Sequence, residues 1–214
     1  MANLITLSRL ILLIAVVAIA YQPAGWIQLF NVLVLILVFV TDGLDGYVAR
    51  KRHETSQFGA MFDIAGDRIV ELTMWIVFAH LGMVPVWVPL VFVVRGTIVD
   101  AIRASQTGSR RASPFNLMES PLGKWLVAGR FMRILYAVVK ATAFCWLLML
   151  QPLPVIAPEL WSELGAIGTA IGEGLVILAV VLCLVRGLPV IVEFAYSERR
   201  AILGSLLRPE VPGR

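Results

Sequence analysis

Four aspartates lie in an otherwise very apolar chain, within the segment TDGLDGYVARKRHETSQFGAMFDIAGDR. Their spacing groups them with small residues in two stripes, because side chains three or four positions apart share one face of a helix. The first stripe holds Asp42, Asp45, Gly46 and Ala49, and the second holds Gly59, Asp63 and Asp67. Small residues beside acids let a bulky ligand approach the backbone between carboxylates. The pattern therefore predicts the wall of a binding pocket.

Metal binding is the chemistry that these acids favour. Four carboxylates in a small, poorly hydrated volume repel one another and stay ionised only with counter-charge. Oxygen-only ligands favour Mg²⁺, Mn²⁺ or Ca²⁺ over zinc. Two ions about 3.5–4 Å apart, bridged by shared carboxylates, form the usual clamp for displacement at phosphorus. Two ions of Mg²⁺ or Mn²⁺ are therefore predicted as cofactors, with ligands from Asp42, Asp45, Asp63 and Asp67.

The elements that must position these acids are predicted to be membrane-spanning helices. Hydrophobic residues make up 59% of the 214 residues and charged residues 15%, and the mean hydropathy is +0.88, which exceeds what a soluble core needs. Apolar segments close to the roughly 20 residues that cross hydrocarbon occupy 5–21, 26–50, 60–80, 84–104, 125–150 and 166–195. The predicted fold is all-α, an integral membrane bundle of six transmembrane helices that forms one domain over residues 1–214.

Basic residues predict the orientation of this bundle. Lys and Arg follow the second predicted helix, bracket the connection between the fourth and fifth, and recur in the C-terminal tail. The alternate connections, near 21–26, 80–87 and 150–165, contain neither. By the positive-inside rule, both termini and the 51–58 connection face the cytosol. The net charge of +4 then suits anionic lipid and phosphate groups, and nucleic acid is not a predicted partner because no separate soluble domain carries a groove.

The two acidic stripes are predicted to meet near the cytosolic surface. The 51–58 connection is short, which makes the second and third helices antiparallel neighbours. At about 1.5 Å per residue, Asp42 and Asp67 lie roughly 12 Å in from the cytosolic ends of their helices, and Asp45 and Asp63 about 6–8 Å in. The acids therefore match in depth, which predicts one site shared by both helices.

The complete motif resembles that of the CDP-alcohol phosphotransferase family. It reads Asp42-x-x-Asp45-Gly46-x-x-Ala49-Arg50, then eight residues, then Gly59-x-x-x-Asp63-x-x-x-Asp67, with every fixed position present. A motif of this length with gaps of defined size rarely arises by accident, and its placement on the second and third of six helices is also similar to that family. The resemblance implies transfer of a phosphatidyl or related group from a CDP-linked lipid to an alcohol, with release of CMP.

The resemblance also implies roles for individual residues. Asp42, Asp45 and Asp63 would ligate the metals, and Asp67 would ligate the second metal and act as the catalytic general base. Contacts with the CDP-lipid are implied for Asp42, Gly46, Ala49, Arg50 and Gly59. The small residues would leave room for cytidine and pyrophosphate, and Arg50 would contact the nucleotide phosphates. This chemistry is reasonable because a metal-bridged pyrophosphate is a good leaving group and a carboxylate can take the hydroxyl proton.

The acceptor alcohol is predicted from more dispersed residues. NLITLSRL near the start, Arg95, and the pair Gly123 and Lys124 resemble bacterial phosphatidylglycerophosphate synthases, whose acceptor is glycerol 3-phosphate. A cationic pocket for the acceptor phosphate is predicted from Arg95, Arg103, Lys124, Arg130 and Arg133. Departures from the resemblance, such as Arg68 after Asp67, leave inositol phosphate, serine or phosphatidylglycerol open as acceptors. Arg130 and Arg133 have an equal alternative, which is to extend toward lipid headgroups.

A cation or proton-coupled transporter is the alternative from another class, because buried carboxylates also line ion pathways. Transporters usually bind ions near the midplane, often at broken helices of inverted repeats, whereas these acids cluster toward one surface. The favoured hypothesis is a CDP-diacylglycerol-dependent phosphatidyltransferase of the cell (inner) membrane, with a cytoplasmic active site. Its partners would be CDP-diacylglycerol, a small phosphate-bearing alcohol and membrane lipid, and the resemblance implies a homodimer.

Cysteines, tryptophans and prolines are predicted to serve structural roles. Cys145 and Cys183 lie in separate apolar helices and are predicted to be free thiols. The six tryptophans fall mostly near predicted membrane boundaries and are interpreted as interface anchors. Pro152, Pro154 and Pro158 predict an extended connection before the last helix.

Overall fold

The computed structural model describes residues 2–23, 25–52, 57–107, 125 and 129–206, and it describes side chains for 6–23, 25–41, 59, 61–102, 125, 129–196 and 199. No strand occurs in these ranges, which confirms the all-α prediction. The helices are α1 (Ala2–Ala20), α2 (Trp26–Arg52), α3 (Gln57–His80), α4 (Trp87–Thr107), α5 (Arg130–Leu150), α6 (Leu153–Ile156) and α7 (Pro158–Leu206).

The last helix is much longer than predicted. The predicted span 166–195 was wrong at both ends, since α7 begins at Pro158 and continues to Leu206. Proline is favoured in the first turn of a helix, and Glu159 beside it complements the positive N-terminal end of the helix dipole. Ser162 then bonds to the carbonyl oxygen of Glu159. The polar first turns therefore belong to the helix although they lack an apolar pattern.

The predicted helix 125–150 is confirmed from Arg130 to Leu150, where α5 lies. The regular helix α5 begins at Arg130, after a break at Gly129. The Gly129 amide donates to the carbonyl oxygen of Trp125, and a side chain at Gly129 would collide with that same oxygen. The start of this predicted helix stays a prediction, because residues 126–128 lie outside the described residues.

The connection before α7 is also more helical than predicted. The extended segment expected there contains α6, in which the amides of Val155 and Ile156 donate to the carbonyl oxygen of Pro152. Proline lacks only the N–H that a first turn leaves unsatisfied. Pro152 and Pro154 therefore lie at the start of the short helix α6, Pro158 begins the long helix α7, and the chain between them is not extended.

Two helical stretches in the described part of the chain are long and apolar enough to cross a membrane. They are Arg130–Ile156, with a mean hydropathy of 1.7, and Pro158–Tyr196, with a mean hydropathy of 2.8. Two shorter apolar stretches, Thr6–Ala20 and Trp26–Thr41, lie in α1 and α2. This composition indicates association with a membrane, and the six crossings stay a prediction.

The chain divides into two compact units, the first made of residues 1–92 and 137–180. In this unit α1 packs against both α2 and α3. Its aromatic core surrounds Trp75, whose ring centroid lies 4.7 Å from those of Phe92 and Phe144. Trp75 is fully buried, so its interpretation as an interface anchor was wrong. Trp26 and Trp87, in contrast, are exposed as that interpretation requires.

Buried amides connect the helices of the first unit at the end of α1 distant from Arg9. The Asn31 side chain of α2 donates to the carbonyl oxygen of Val16 at 2.9 Å. The Gln151 side chain donates to the carbonyl oxygen of Ala20 at 2.7 Å. Each bond satisfies a polar group that would be costly to bury alone. Together they fix the C-terminal half of α1.

The second unit comprises residues 93–136 and 181–214. Val99, Ile102 and Val190 form its buried cluster. Gly187 lets the stem of Arg95 lie against the backbone of α7, since a side chain there would meet Arg95 Cγ at 2.6 Å. Cys145 in the first unit and Cys183 in the second are free cysteines, as predicted. The prediction of a single domain stays a prediction.

Candidate active site

The second acidic stripe lies on α3 and extends four residues beyond the end of the family motif, to Glu71. Gly59, Asp63 and Asp67 recur every fourth residue, and Glu71 is the next position on the same face. The side chains of Asp63 and Asp67 are 49% and 56% exposed. Both carboxylates are therefore accessible to a ligand.

Arg9 of α1 contacts both of these aspartates. Its Nη2 donates to Oδ1 of Asp67 at 2.6 Å, and its Nη1 lies 3.6 Å from Oδ1 of Asp63. Arg9 is only 1% exposed, and a buried guanidinium needs an anionic partner because it has lost its water. The two carboxylates supply that counter-charge from the face that the motif predicts as functional.

Arg9 is not among the site residues predicted from the sequence. An arginine inside an apolar helix is itself a signal, because such charges are costly and usually functional. Arg9 also belongs to the NLITLSRL segment that was used only as a resemblance.

Glu71 forms a second buried ion-pair network. It is 4% exposed, and its carboxylate accepts bonds from Arg68 Nη1 at 2.9 Å and from Lys140 Nζ at 2.8 Å. Arg68 is on the same helix, whereas Lys140 is on α5, so the network joins α3 to α5. Glu71 is also absent from the predicted site residues, although it is the next position in the repeat of every fourth residue on α3.

A cavity of about 140 Å³ lies beside Asp67 in the first unit. Charged groups form part of its wall and apolar groups the rest, and the lining residues are Arg9, Val38, Phe39, Asp67, Val70, Glu71, Ala137, Lys140 and Phe144. The cavity can hold a small polar molecule in reach of the Asp67 carboxylate.

Gly66 permits the close approach of α1 to the acidic face of α3. A Cβ at Gly66 would lie 3.0 Å from Thr6 Cγ2 and 3.4 Å from Arg9 Nη2. Thr6 and Arg9 are both buried, so neither has space to move away. The absence of a side chain at Gly66 therefore helps to bring Arg9 to Asp67.

Gly66→Ala is expected to lower stability, although alanine in a helix interior usually gains about 0.5–1 kcal/mol over glycine. Overpacking between α1 and α3 should cost about 1–3 kcal/mol. Gly174→Ala is the matched control, because Gly174 is exposed in α7 with no atom within 4 Å of its Cβ position. A thermal shift measurement of both variants checks this, and equal melting temperatures would contradict the close packing at Gly66.

The first acidic stripe lies on α2, within Trp26–Arg52. The side chains of this stripe and of the adjacent Arg50 lie outside the described residues, and the stripe consists of Asp42, Asp45, Gly46 and Ala49. Among residues with described side chains, no group of three or more His, Cys, Asp or Glu is arranged to hold a metal ion. The four-carboxylate metal site, half of which lies outside that set, stays a prediction.

The predicted acceptor residues lie in the second unit. Arg95 is 8% exposed, and its Nε donates no hydrogen bond to another described residue. Arg130 and Arg133 are exposed near the start of α5. Lys124 and the side chain of Arg103 lie outside the described residues. The cationic acceptor pocket therefore stays a prediction.

Comparison with known proteins agrees with the resemblance in the motif. The family model described as CDP-alcohol phosphatidyltransferase matches residues 1–155. The chain is 31% identical over 103 residues to CDP-diacylglycerol–glycerol-3-phosphate 3-phosphatidyltransferase of Salmonella choleraesuis (strain SC-B67), and the match covers 47% of this chain and 57% of that protein.

The protein of the same name from Escherichia coli (strain K12) is 32% identical over 103 residues, with the same coverage of both chains. The match thus spans little more than half the length of these curated relatives. The family model, however, covers most of the present chain, including both acidic stripes and Arg9. The chain therefore belongs to the CDP-alcohol phosphatidyltransferase family.

Proposed function

We propose that this chain transfers the phosphatidyl group of CDP-diacylglycerol to a hydroxyl of glycerol 3-phosphate, which yields phosphatidylglycerophosphate and CMP. The observation that carries the proposal is the family motif on α3, with Asp63 and Asp67 accessible and a cavity beside Asp67 that is lined by both charged and apolar groups. The names of the relatives from Salmonella and Escherichia specify glycerol 3-phosphate, which supports this acceptor.

Asp67 is the group that takes the acceptor proton in this mechanism. The acceptor oxygen forms a bond to the phosphatidyl phosphorus while the bond between that phosphorus and the CMP oxygen breaks. The hydroxyl proton moves to the Asp67 carboxylate, which is half-exposed and adjoins the cavity. Because Arg9 holds Oδ1 of Asp67, Oδ2 is the oxygen that would receive the proton.

The accessible carboxylates fit the metal ions that the family implies. Asp63 and Asp67 present hard oxygen ligands on one face of α3, as Mg²⁺ and Mn²⁺ prefer. Together with Asp42 and Asp45 they would hold the two ions. When bound, the ions would polarise the phosphoryl oxygens and neutralise charge on the departing CMP.

The remaining parts of the proposal concern the membrane and the ligands. Six helices cross the inner membrane, both termini and the site face the cytoplasm, and the enzyme is a homodimer that contacts membrane lipid. This orientation is supported by the distribution of basic residues. The CDP-lipid contacts Asp42, Gly46, Ala49, Arg50 and Gly59. The acceptor phosphate contacts Arg95, Arg103, Lys124, Arg130 and Arg133.

The acceptor is tested by measuring CMP release from CDP-diacylglycerol by purified protein in detergent with Mg²⁺ or Mn²⁺. Glycerol 3-phosphate, inositol phosphate, serine and phosphatidylglycerol are supplied separately. We expect release only with glycerol 3-phosphate, and release with another acceptor alone would replace it in the proposal. Folded protein that neither binds CDP-diacylglycerol nor releases CMP would contradict the proposed reaction and favour the transporter alternative.

A further inference from the structure

Arg9 is a buried cation that contacts two accessible carboxylates of α3. The guanidinium is 1% exposed, whereas the side chains of Asp63 and Asp67 are each about half exposed. A pair that only fastened two helices together would gain more from partners that are buried with it. Here the buried cation contacts the inner side of two carboxylates whose other sides remain accessible.

The contact constrains the acids that the proposed mechanism uses. Nη2 donates to Oδ1 of Asp67 at 2.6 Å, a short charge-assisted hydrogen bond, and Nη1 lies 3.6 Å from Oδ1 of Asp63. The two terminal nitrogens of the planar Arg9 guanidinium thus contact two carboxylates on successive turns of α3. A lysine in the same place has a single charged nitrogen and cannot reproduce this fork.

Arg9 is itself held rigidly. Thr6, one turn before Arg9, packs at Gly66, and Nη2 of Arg9 itself lies against the same glycine. A side chain that is fully buried between such contacts has already lost its rotamer freedom. Its guanidinium therefore holds the two carboxylates in a fixed place relative to α1, and no further side-chain entropy is lost when substrate binds.

We propose that Arg9 is a positioning residue for phosphatidyl transfer. It fixes Oδ1 of Asp67 and limits the separation of Asp63 and Asp67, so that Oδ2 of Asp67 is presented to the acceptor hydroxyl. The first helix thereby contributes to a site whose acids come from other helices. Because this role concerns phosphatidyl transfer, it rests on the proposed function.

The test compares Arg9→Gln and Arg9→Lys with Asn31→Ala, which removes a different contact of α1. Arg9→Gln should fold, because it leaves behind carboxylates that water already reaches. We expect its kcat to fall about 100-fold, the usual cost of a misplaced catalytic group, while KM for CDP-diacylglycerol stays within about threefold. Arg9→Lys should restore part of kcat, and Asn31→Ala should lower Tm but keep kcat.

A lowered Tm with unchanged kcat per folded molecule in Arg9→Gln would show a structural contact only and would overturn the proposal. If Arg9→Gln does not fold, Arg9→Lys decides the matter, since wild-type kcat with a single charged nitrogen would equally overturn it.

Binding of Mn²⁺ gives a readout that does not depend on turnover. Titration of wild-type and Arg9→Lys protein, followed by the electron paramagnetic resonance spectrum of Mn²⁺, should show a changed spectrum in the variant because the carboxylates are less constrained. If wild-type protein releases no CMP, the proposed function fails, and this spectrum still tests the positioning of the acids. Identical spectra would then reject a positioning role for Arg9.

Discussion

Asp67→Asn should reduce the rate of CMP release about 10³-fold, in the middle of the range for loss of a general base. The amide keeps the size of the side chain and its half-exposed position but cannot accept the hydroxyl proton. It also weakens the 2.6 Å hydrogen bond that the buried guanidinium of Arg9 donates to this side chain. We therefore expect a lower Tm in addition to the loss of activity.

The matched control is Glu159→Gln, which removes an exposed carboxylate in the first turn of α7. This variant should keep wild-type kcat, because Glu159 does not line the cavity beside Asp67. Single-turnover assays at saturating CDP-diacylglycerol separate the chemical rate from product release. An Asp67→Asn rate within tenfold of wild type would exclude Asp67 as the base.

Glu71→Leu should be the most destabilising of the substitutions considered, with a loss of about 3–5 kcal/mol. Glu71 is buried and accepts bonds from both Arg68 and Lys140, so its removal leaves two poorly exposed cations without their shared anion. For a chain of this length the loss corresponds to a decrease in Tm of roughly 6–20 °C. Thermal unfolding in detergent measures it.

The double variant Glu71→Leu, Lys140→Met shows how much of the lost stability comes from a buried charge without its partner and how much comes from poorer packing. It removes one charge of each sign and fills both positions with apolar side chains of similar size. The remaining cation, Arg68, can be hydrated because its side chain is 23% exposed. We expect the double variant to recover most of the lost Tm, since charge-to-apolar replacement of a whole buried pair is often nearly neutral. A further decrease in Tm would contradict this interpretation.

The acidic stripe of α3 could be predicted from sequence because it depends on local periodicity. Residues three or four apart share a helical face whatever the surrounding fold, and the motif adds family-specific spacing. The helices α1, α2 and α3 were likewise recognisable from their apolar lengths, and their observed ends differ from prediction by a few residues.

The ion pairs of the site could not be predicted in the same way. Arg9 and Asp67 are 58 positions apart, and Lys140 and Glu71 are 69 positions apart. Periodicity identifies which side of a helix a residue occupies but not which residue of another helix faces it. These pairings depend on the packing of α1 and α5 against α3, which Gly66 and the buried amides help to determine.

The most direct test of phosphatidyl transfer follows the acceptor oxygen. Purified protein is incubated with CDP-diacylglycerol, a divalent cation and glycerol 3-phosphate carrying ¹⁸O in its hydroxyl groups, and both products are analysed by mass spectrometry. Attack of the hydroxyl on the phosphatidyl phosphorus predicts phosphatidylglycerophosphate that retains the ¹⁸O of the attacking hydroxyl in the new phosphodiester, together with unlabelled CMP. Failure to form this labelled lipid, or the appearance of ¹⁸O in CMP, would contradict the proposed reaction.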